Sequence, residues 1–263
     1  MAIATMAALQ TAMFAAQRIA WMKNLNTGSA VAAGQFFSGW AVAGTFTGDI
    51  PGAAATCDNT TTGALPVVSP PSGSNYLASV IFRSENPAEV HSLLLYDRLA
   101  HMGGLDGTST GAQTVDVSLP SRPDTLGGSV EIFVECYAQL GATSVTATIS
   151  YTNQSGTAGQ SATVTIPANM RLGRTLAVTL QAGDTGVRSV ETLTLSASTL
   201  TAGNFGVTLA RRITVCAGDP PLGAGALELG LPKIESGACL WPLACMGGTS
   251  NEITYGEIAV VSG

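Results

Sequence analysis

From Tyr76 onward the sequence alternates with a period of two, and this constrains the fold more than any other feature. Val115, Val117 and Leu119 share one side of a strand. So do Val130, Ile132, Val134 and Cys136, then Val145, Ala147, Ile149 and Tyr151, then Ala162, Val164 and Ile166, then Leu172, Leu176, Val178 and Leu180. Each run stops in turn residues: "LPSRPDTLGG", "LGAT", "YTNQSGTAG", "PANMRLG", "QAGDTG", "STLTAGN". Short strands with this alternation are antiparallel rather than parallel, because buried parallel strands read as continuous apolar runs. The expected fold is mainly β, an antiparallel β-sandwich or jelly roll over residues 76–263.

The stretch "GDTGVRSVETLTLSASTLTAGNFGVTLARRITV", residues 183–215, shows the pattern most fully and carries almost no chemistry. Val207, Leu209, Ile213 and Val215 are expected to face a core, with Thr208, Arg212 and Thr214 facing out. Arg211 interrupts the inward row and marks a strand end or a subunit contact.

Ahead of this region, "MAIATMAALQTAMFAAQRIAWM" is rich in good helix formers, and "NLNTGS" supplies helix-stop residues, so a helix is expected over residues 1–26. It is neither export signal nor membrane span. Its first basic residue, Arg18, follows the apolar core instead of preceding it, and the run is largely Ala with polar residues inside. Residues 27–75, rich in Gly, Ala, Pro and Thr, predict an extended arm that gains order on another surface. Met6, Met13, Phe14, Trp21, Phe36, Phe37 and Trp40 are the candidate interface residues of this helix and arm. They are too apolar for water, and their segment is too poor in large side chains to build its own core.

Composition narrows the function. Charged residues make up 11% of the chain, against roughly 25% in an ordinary soluble domain. Polarity comes mainly from hydroxyls, and a surface that repels its neighbours weakly suits assembly. A net charge of −6, with no basic run beyond Arg211-Arg212, argues against nucleic acid as a partner. The five cysteines contain no CxxC and are expected to be reduced; a Cys239–Cys245 bridge is the minority reading. No metal or cofactor signature stands out, although loops around Asp106, Asp124 and Asp184 leave a bound metal open.

Several motifs imitate an enzyme. "GTSTG", Gly107 to Gly111, matches the nucleophile elbow and would make Ser109 a nucleophile, but that motif needs a strand before it and a helix after it. Here a Gly-rich loop runs into a strand. His91 and His101 flank "SLLLYDRLA", with Asp97 and Asp106 nearby, at a spacing that fits no zinc signature. "NTT" at Asn59 and "NQS" at Asn153 are formal glycosylation acceptors, read here as turns. No catalytic residue is assigned.

Four stretches resemble structural proteins of tailed-bacteriophage virions: "AAGQFFSGW", "SLLLYDRLAHMGGLDGTSTGAQTV", residues 183–215, and "LELGLPKIESGACLWPLACMGGTSNEITYGEIAVV". Together they span residues 32 to 261. The resemblance implies a non-enzymatic virion component, assembled in the host cytoplasm. On physical grounds a capsid decoration or cement protein is favoured: the arm would bind the phage major capsid protein and the sandwich would contact other copies of itself, a trimer being favoured. Neither the long helix nor the charged arm of a major capsid subunit is evident. A tail or neck protein, or a host-glycan-binding sandwich, is the alternative. No membrane or nucleic acid partner is expected.

Overall fold

The computed structural model describes residues 3–26, 32–86, 89, 91–122, 127–216, 223–249 and 252–263. In chain order the elements are α1 (Met6–Phe14), β1 (Gln17–Asn24), β2 (Phe36–Ser38), β3 (Ala55–Thr56), β4 (Asn75–Ser84), β5 (Ser92–Leu105), β6 (Gln113–Ser118) and β7 (Val130–Ala138). There follow β8 (Val145–Asn153), β9 (Gln160–Ile166), β10 (Arg174–Val178), β11 (Val187–Leu195), β12 (Asn204–Cys216) and β13 (Gly223–Ala224). The chain continues through α2 (Ala226–Leu229), β14 (Lys233–Ile234), β15 (Leu240–Cys245) and β16 (Ile253–Ser262).

The fold is mainly β and antiparallel, as the period-two runs require. Among the described residues the strands form three sheets. The central one runs β12-β7-β10-β2-β15-β5 and closes on itself, because β5 also pairs with β12; β3 extends along β5. The open sheet β6-β11-β8-β9 covers one side of this barrel. The other open sheet, β1-β16-β4-β13 with β14 on β4, covers the opposite side.

Strand alternation divides most of the apolar residues among three spaces, and a small fourth cluster seats α1, through Leu9, on Ala78 of β4 and Val261 of β16. Ile132, Val134 and Cys136 of β7 meet Val145, Ala147 and Ile149 of β8 and Val190 and Leu193 of β11 in one core. Leu93 and Leu95 of β5 meet Trp21, Val80, Phe82 and Ile258 in a second. Leu94, Tyr96, Phe133, Tyr137, Trp241 and Leu243 point into the barrel, forming a third. The barrel therefore serves as the shared middle layer of two sandwiches.

The N-terminal expectation needs correction. Thr5 caps α1 by accepting a hydrogen bond from the Ala8 N–H (3.1 Å), but the helix stops at Phe14. Residues 17–24, expected in the helix, form β1, paired with β16 from Gln17↔Val260 to Asn24↔Ile253. Helix propensity is a weak prior, and "QRIAWMKN" alternates: Ile19, Trp21 and Lys23 are buried while Arg18 and Ala20 face out. The helix-stop stretch lies partly outside the described residues.

The expected arm is also corrected. Residues 43–45 cover the free edge of β1, through Asn24 N–H to Ala43 O (2.8 Å) and Thr45 N–H to Met22 O (2.9 Å). β2 is a barrel strand between β10 and β15. Val42, Leu65 and Val67 enter the second core. The surface on which this segment gains order is the chain's own. An exposed strand edge invites foreign pairing, and here an internal segment covers it.

β12 departs from its expected faces. Val207 and Leu209 are buried as expected, yet Thr208 is fully buried and Val215 is exposed. Thr208 keeps its alternating place, but its face is the barrel interior, where it donates to Glu135; bulges between Leu209 and Ala210 and between Arg212 and Thr214 shift the alternation beyond it. The two runs of residues 183–215 are not a hairpin, since β11 lies in an open sheet and β12 in the barrel.

Candidate functional site in the barrel interior

The densest array of polar chemistry is inside the barrel. Inward positions of β5, β7 and β12 bring Arg98, Glu135, Tyr137 and Thr208 together, all buried. Arg98 Nη1 donates to Glu135 Oε2 (2.7 Å), Nη2 to Tyr137 Oη (2.9 Å) and Nε to His101 Nδ1 (3.1 Å). The same Glu135 oxygen accepts from Tyr137 Oη (3.0 Å) and Thr208 Oγ1 (3.0 Å). The guanidinium lies 4.2 Å from the Trp40 ring centroid and 5.0 Å from that of Trp241. Trp241 also meets Phe133 edge-on at 5.5 Å and donates its Nε1–H to Ser38 Oγ (2.9 Å).

Burial opposes the charge on Arg98, but the Glu135 carboxylate more than offsets it and holds the guanidinium protonated. Burial and then Glu135 push the Tyr137 phenol up. The arrangement is a neutralised ion pair with hydrogen-bond partners and two indole faces around it.

Beside it stand two thiols, Cys57 (1% exposed) and Cys239 (0%). Cys57 is lowered to about 5, chiefly by a hydrogen bond from Cys239, with His101 and Arg98 assisting against burial. Cys239, the donor of that bond and buried, is raised. Thiolate and imidazole together are the parts of an activated nucleophile, but a thiol this buried offers no place for a substrate carbonyl. The minority reading of a Cys239–Cys245 bridge is corrected: these residues bracket the extended β15 and stand about 20 Å apart at ~3.3 Å per residue, well beyond disulfide reach.

A second polar cluster joins Glu89, His91 and Glu252, whose ligand-type atoms lie within 4.8 Å of one another. His91 Nδ1 accepts from the Gly247 N–H (2.9 Å), so the ring proton sits on Nε2, which faces Glu252 Oε1. Glu252 also accepts from Ser84 Oγ and from the Asn86 N–H (3.3 Å). With His91 Nδ1 engaged by Gly247, Nε2 is the ring nitrogen that faces the two carboxylates. This cluster reads as a hydrogen-bonded clasp where β4 and β16 meet.

The candidate interface residues separate. Phe14 (95% exposed) and Met6 are on the surface, Met13 and Phe36 are half-buried, and Trp21, Phe37 and Trp40 are buried in the chain's own cores. The last three are therefore core residues and not anchors for a partner. Among the described residues neither histidine pairs with an aspartate: Asp97 pairs with Arg122 (3.2 Å) and is pushed up to about 6, mainly by burial. Ser109 sits in a loop between two strands, with no helix following. Asp106 caps its own turn through Thr108 (2.7 Å), and both Asp184 oxygens accept hydrogen bonds, from Tyr151 and Asn153. Asp124 lies outside the described residues. Asn59 donates to Val67 O (3.2 Å), and the buried Asn153 amide is held by Asp184, so both asparagines serve turns.

Outside, the β6-β11-β8-β9 sheet presents a ladder of hydroxyls. Across β11, β8 and β9, Thr194 pairs with Thr148 and Thr148 with Thr163, while Thr192 pairs with Ser150 and Ser150 with Ser161. No aromatic side chain stands in the loops joining these strands. Among the described residues, no helix is long and apolar enough to cross a membrane.

No family model and no curated protein matches the chain. Among solved structures, the infectious bursal disease virus Gt strain is 13% identical, covering 94% of this chain and 80% of that one, with a TM-score of 0.20. The VP2 subviral particle of the same virus is 10% identical over 94% and 80%, with a TM-score of 0.21. Backbones with TM-scores this low do not superpose, and the likeness carries no weight for fold or function.

Proposed function

We propose that this protein is a non-enzymatic structural component of a tailed-phage virion, in its most specific form a decoration subunit on the head shell. The observation that supports it is the division of chemistry between inside and outside. The ion pair, the paired thiols and the aromatic cluster are enclosed in the barrel, while one whole sheet turns a weakly charged hydroxyl ladder outward. Such a face suits close packing against other subunits, because it brings few charges to desolvate. With Trp21, Phe37 and Trp40 taken up internally, the surfaces left for contact include α1, through Phe14 and Met6, and the hydroxyl ladder. A glycan-binding role has less support, since sugar rings are commonly held by aromatic stacking and the ladder's loops have none. The test is mass spectrometry of gradient-purified particles followed by a cryo-electron-microscopy map. Stoichiometric copies on the shell are expected; density in the tail or neck selects that alternative, and absence from particles overturns the proposal.

A further inference from the structure

We infer that Cys57 and Cys239 form a cross-linking site, two thiols held at a splice in the barrel wall that a peroxide-class oxidant joins as a disulfide. The splice is a matter of register. Along one edge of β5, Leu240 pairs with Asp97 and Thr56 pairs with Ala100, and both β15 and β3 run antiparallel to β5. The two segments therefore meet end to end, with Cys57 just after β3 and Cys239 just before β15. The ladder runs on through both cysteines: the Arg98 N–H donates to Cys239 O (2.8 Å) and the Cys57 N–H to Leu99 O (2.9 Å). One strand edge is thus built from two distant pieces of chain, with a cysteine on each side of the cut.

The two cysteines occupy successive places on that edge, opposite Arg98 and Leu99, and both belong to the cluster inside the barrel. His101, whose Nδ1 accepts from Arg98, lies on the same strand. Arg98 and His101 favour the Cys57 thiolate, which is the attacking form in sulfur oxidation. Cys136 is the internal contrast. It donates to Ala138 O and Met170 O, and burial pushes it up to about 12.

The chemistry balances with one peroxide. The Cys57 thiolate attacks a peroxide oxygen and the O–O bond breaks, leaving Cys57 sulfenic acid and a hydroxide that is protonated to water. Cys239 sulfur then attacks Cys57 sulfur, the S–O bond breaks, and the hydroxyl departs as a second water with the Cys239 proton. Two thiols lose two electrons, and hydrogen peroxide is reduced to two waters. A small oxidant suits sulfurs this deeply buried. The inference rests on geometry and is independent of the virion reading.

The test uses the full chain, treated with hydrogen peroxide, alkylated in denaturant without reduction, digested and analysed by mass spectrometry. Expected is a peptide pair linked through Cys57 and Cys239, lighter than its parts by the two thiol hydrogens and abolished by dithiothreitol. Cys136, Cys216 and Cys245 should be recovered alkylated. Full alkylation of Cys57 and Cys239, under conditions that oxidise a free-thiol control peptide in the same tube, overturns the inference. So does Cys239 linked to any other cysteine, or Cys57 recovered as sulfinic acid. The wild-type readout needs no variant to fold; as a second measurement, oxidation should raise the melting temperature of the wild type and not of Cys239→Ser.

Discussion

Arg98 and Glu135 form a 2.7 Å ion pair with side chains no more than 1% exposed, at the centre of a closed barrel. Removing one partner strands the other charge without water, which costs about 3–5 kcal/mol. Glu135→Leu and Arg98→Met are each expected to lose that much in urea denaturation. The double variant Arg98→Met/Glu135→Leu should lose clearly less than the sum of the two, because it leaves no orphaned charge. Additive losses would show that the pair is not coupled.

Trp21 and Trp40 are expected to act on the stability of the isolated chain. Trp21 lies opposite Gly256 in the β1–β16 register, where a side chain on that glycine would collide with the indole. Trp40 packs against Gly48 in the same manner and donates to Asp49 O (3.0 Å). Trp21→Ala and Trp40→Ala should each cost about 3–5 kcal/mol, measured by chemical denaturation of the purified protein. Unchanged stability with lost incorporation into particles would return these residues to an anchoring role.

Lys23 makes stability depend on pH. Its side chain is buried, Nζ donates to Phe46 O (2.8 Å), and burial lowers its pKa from 10.5 to about 8. Between those values the unfolded chain holds the proton and the native one has released it, so stability rises with pH through this window, by on the order of 3 kcal/mol in all. Lys23→Met keeps the apolar stem and removes the titrating group. Between pH 7.5 and 10 the wild type should gain stability relative to Lys23→Met, a difference of denaturation midpoints in which the buried thiols, which Cys136 exemplifies and which oppose the rise in both proteins, cancel.

Ser109→Ala is expected to leave ester and peptide hydrolysis at the background level of the wild type. A turnover present in the wild type and lost in the variant would contradict the structural reading of the "GTSTG" loop.

The β8 strand was legible because Val145, Ala147, Ile149 and Tyr151 alternate with Thr and Ser, and one register satisfies both core and solvent. β1 was hidden by its neighbourhood. The Ala-rich run before it favours helix locally, while pairing with β16 and burial of Ile19 and Trp21 decide otherwise. β12 was half legible, since its bulges shift parity without a sequence mark. The barrel interior was not legible as a site: Arg98, Glu135 and Thr208 look like ordinary outward strand residues until closure makes that face an inside. Nothing in the spacing of Cys57 and Cys239 announces contact, which exists only because β3 and β15 share an edge of β5.

The pairing of β1 with β16 and of β2 with β15 also sets a timetable for biosynthesis. A ribosome adding roughly 5–20 residues per second releases Gln17 long before its partner Val260 exists, so neither the barrel nor the sheet over its second core can close during translation. The strands from Gln113 to Leu195 that form the hydroxyl-bearing sheet need only one another and are free to pair early. Until Cys245 emerges, Phe37, Leu93 and Leu95 remain exposed on a nascent chain and are natural clients for a chaperone. Any partner that recognises the closed barrel consequently meets only chains synthesised through β15, which keeps less complete subunits out of an assembly.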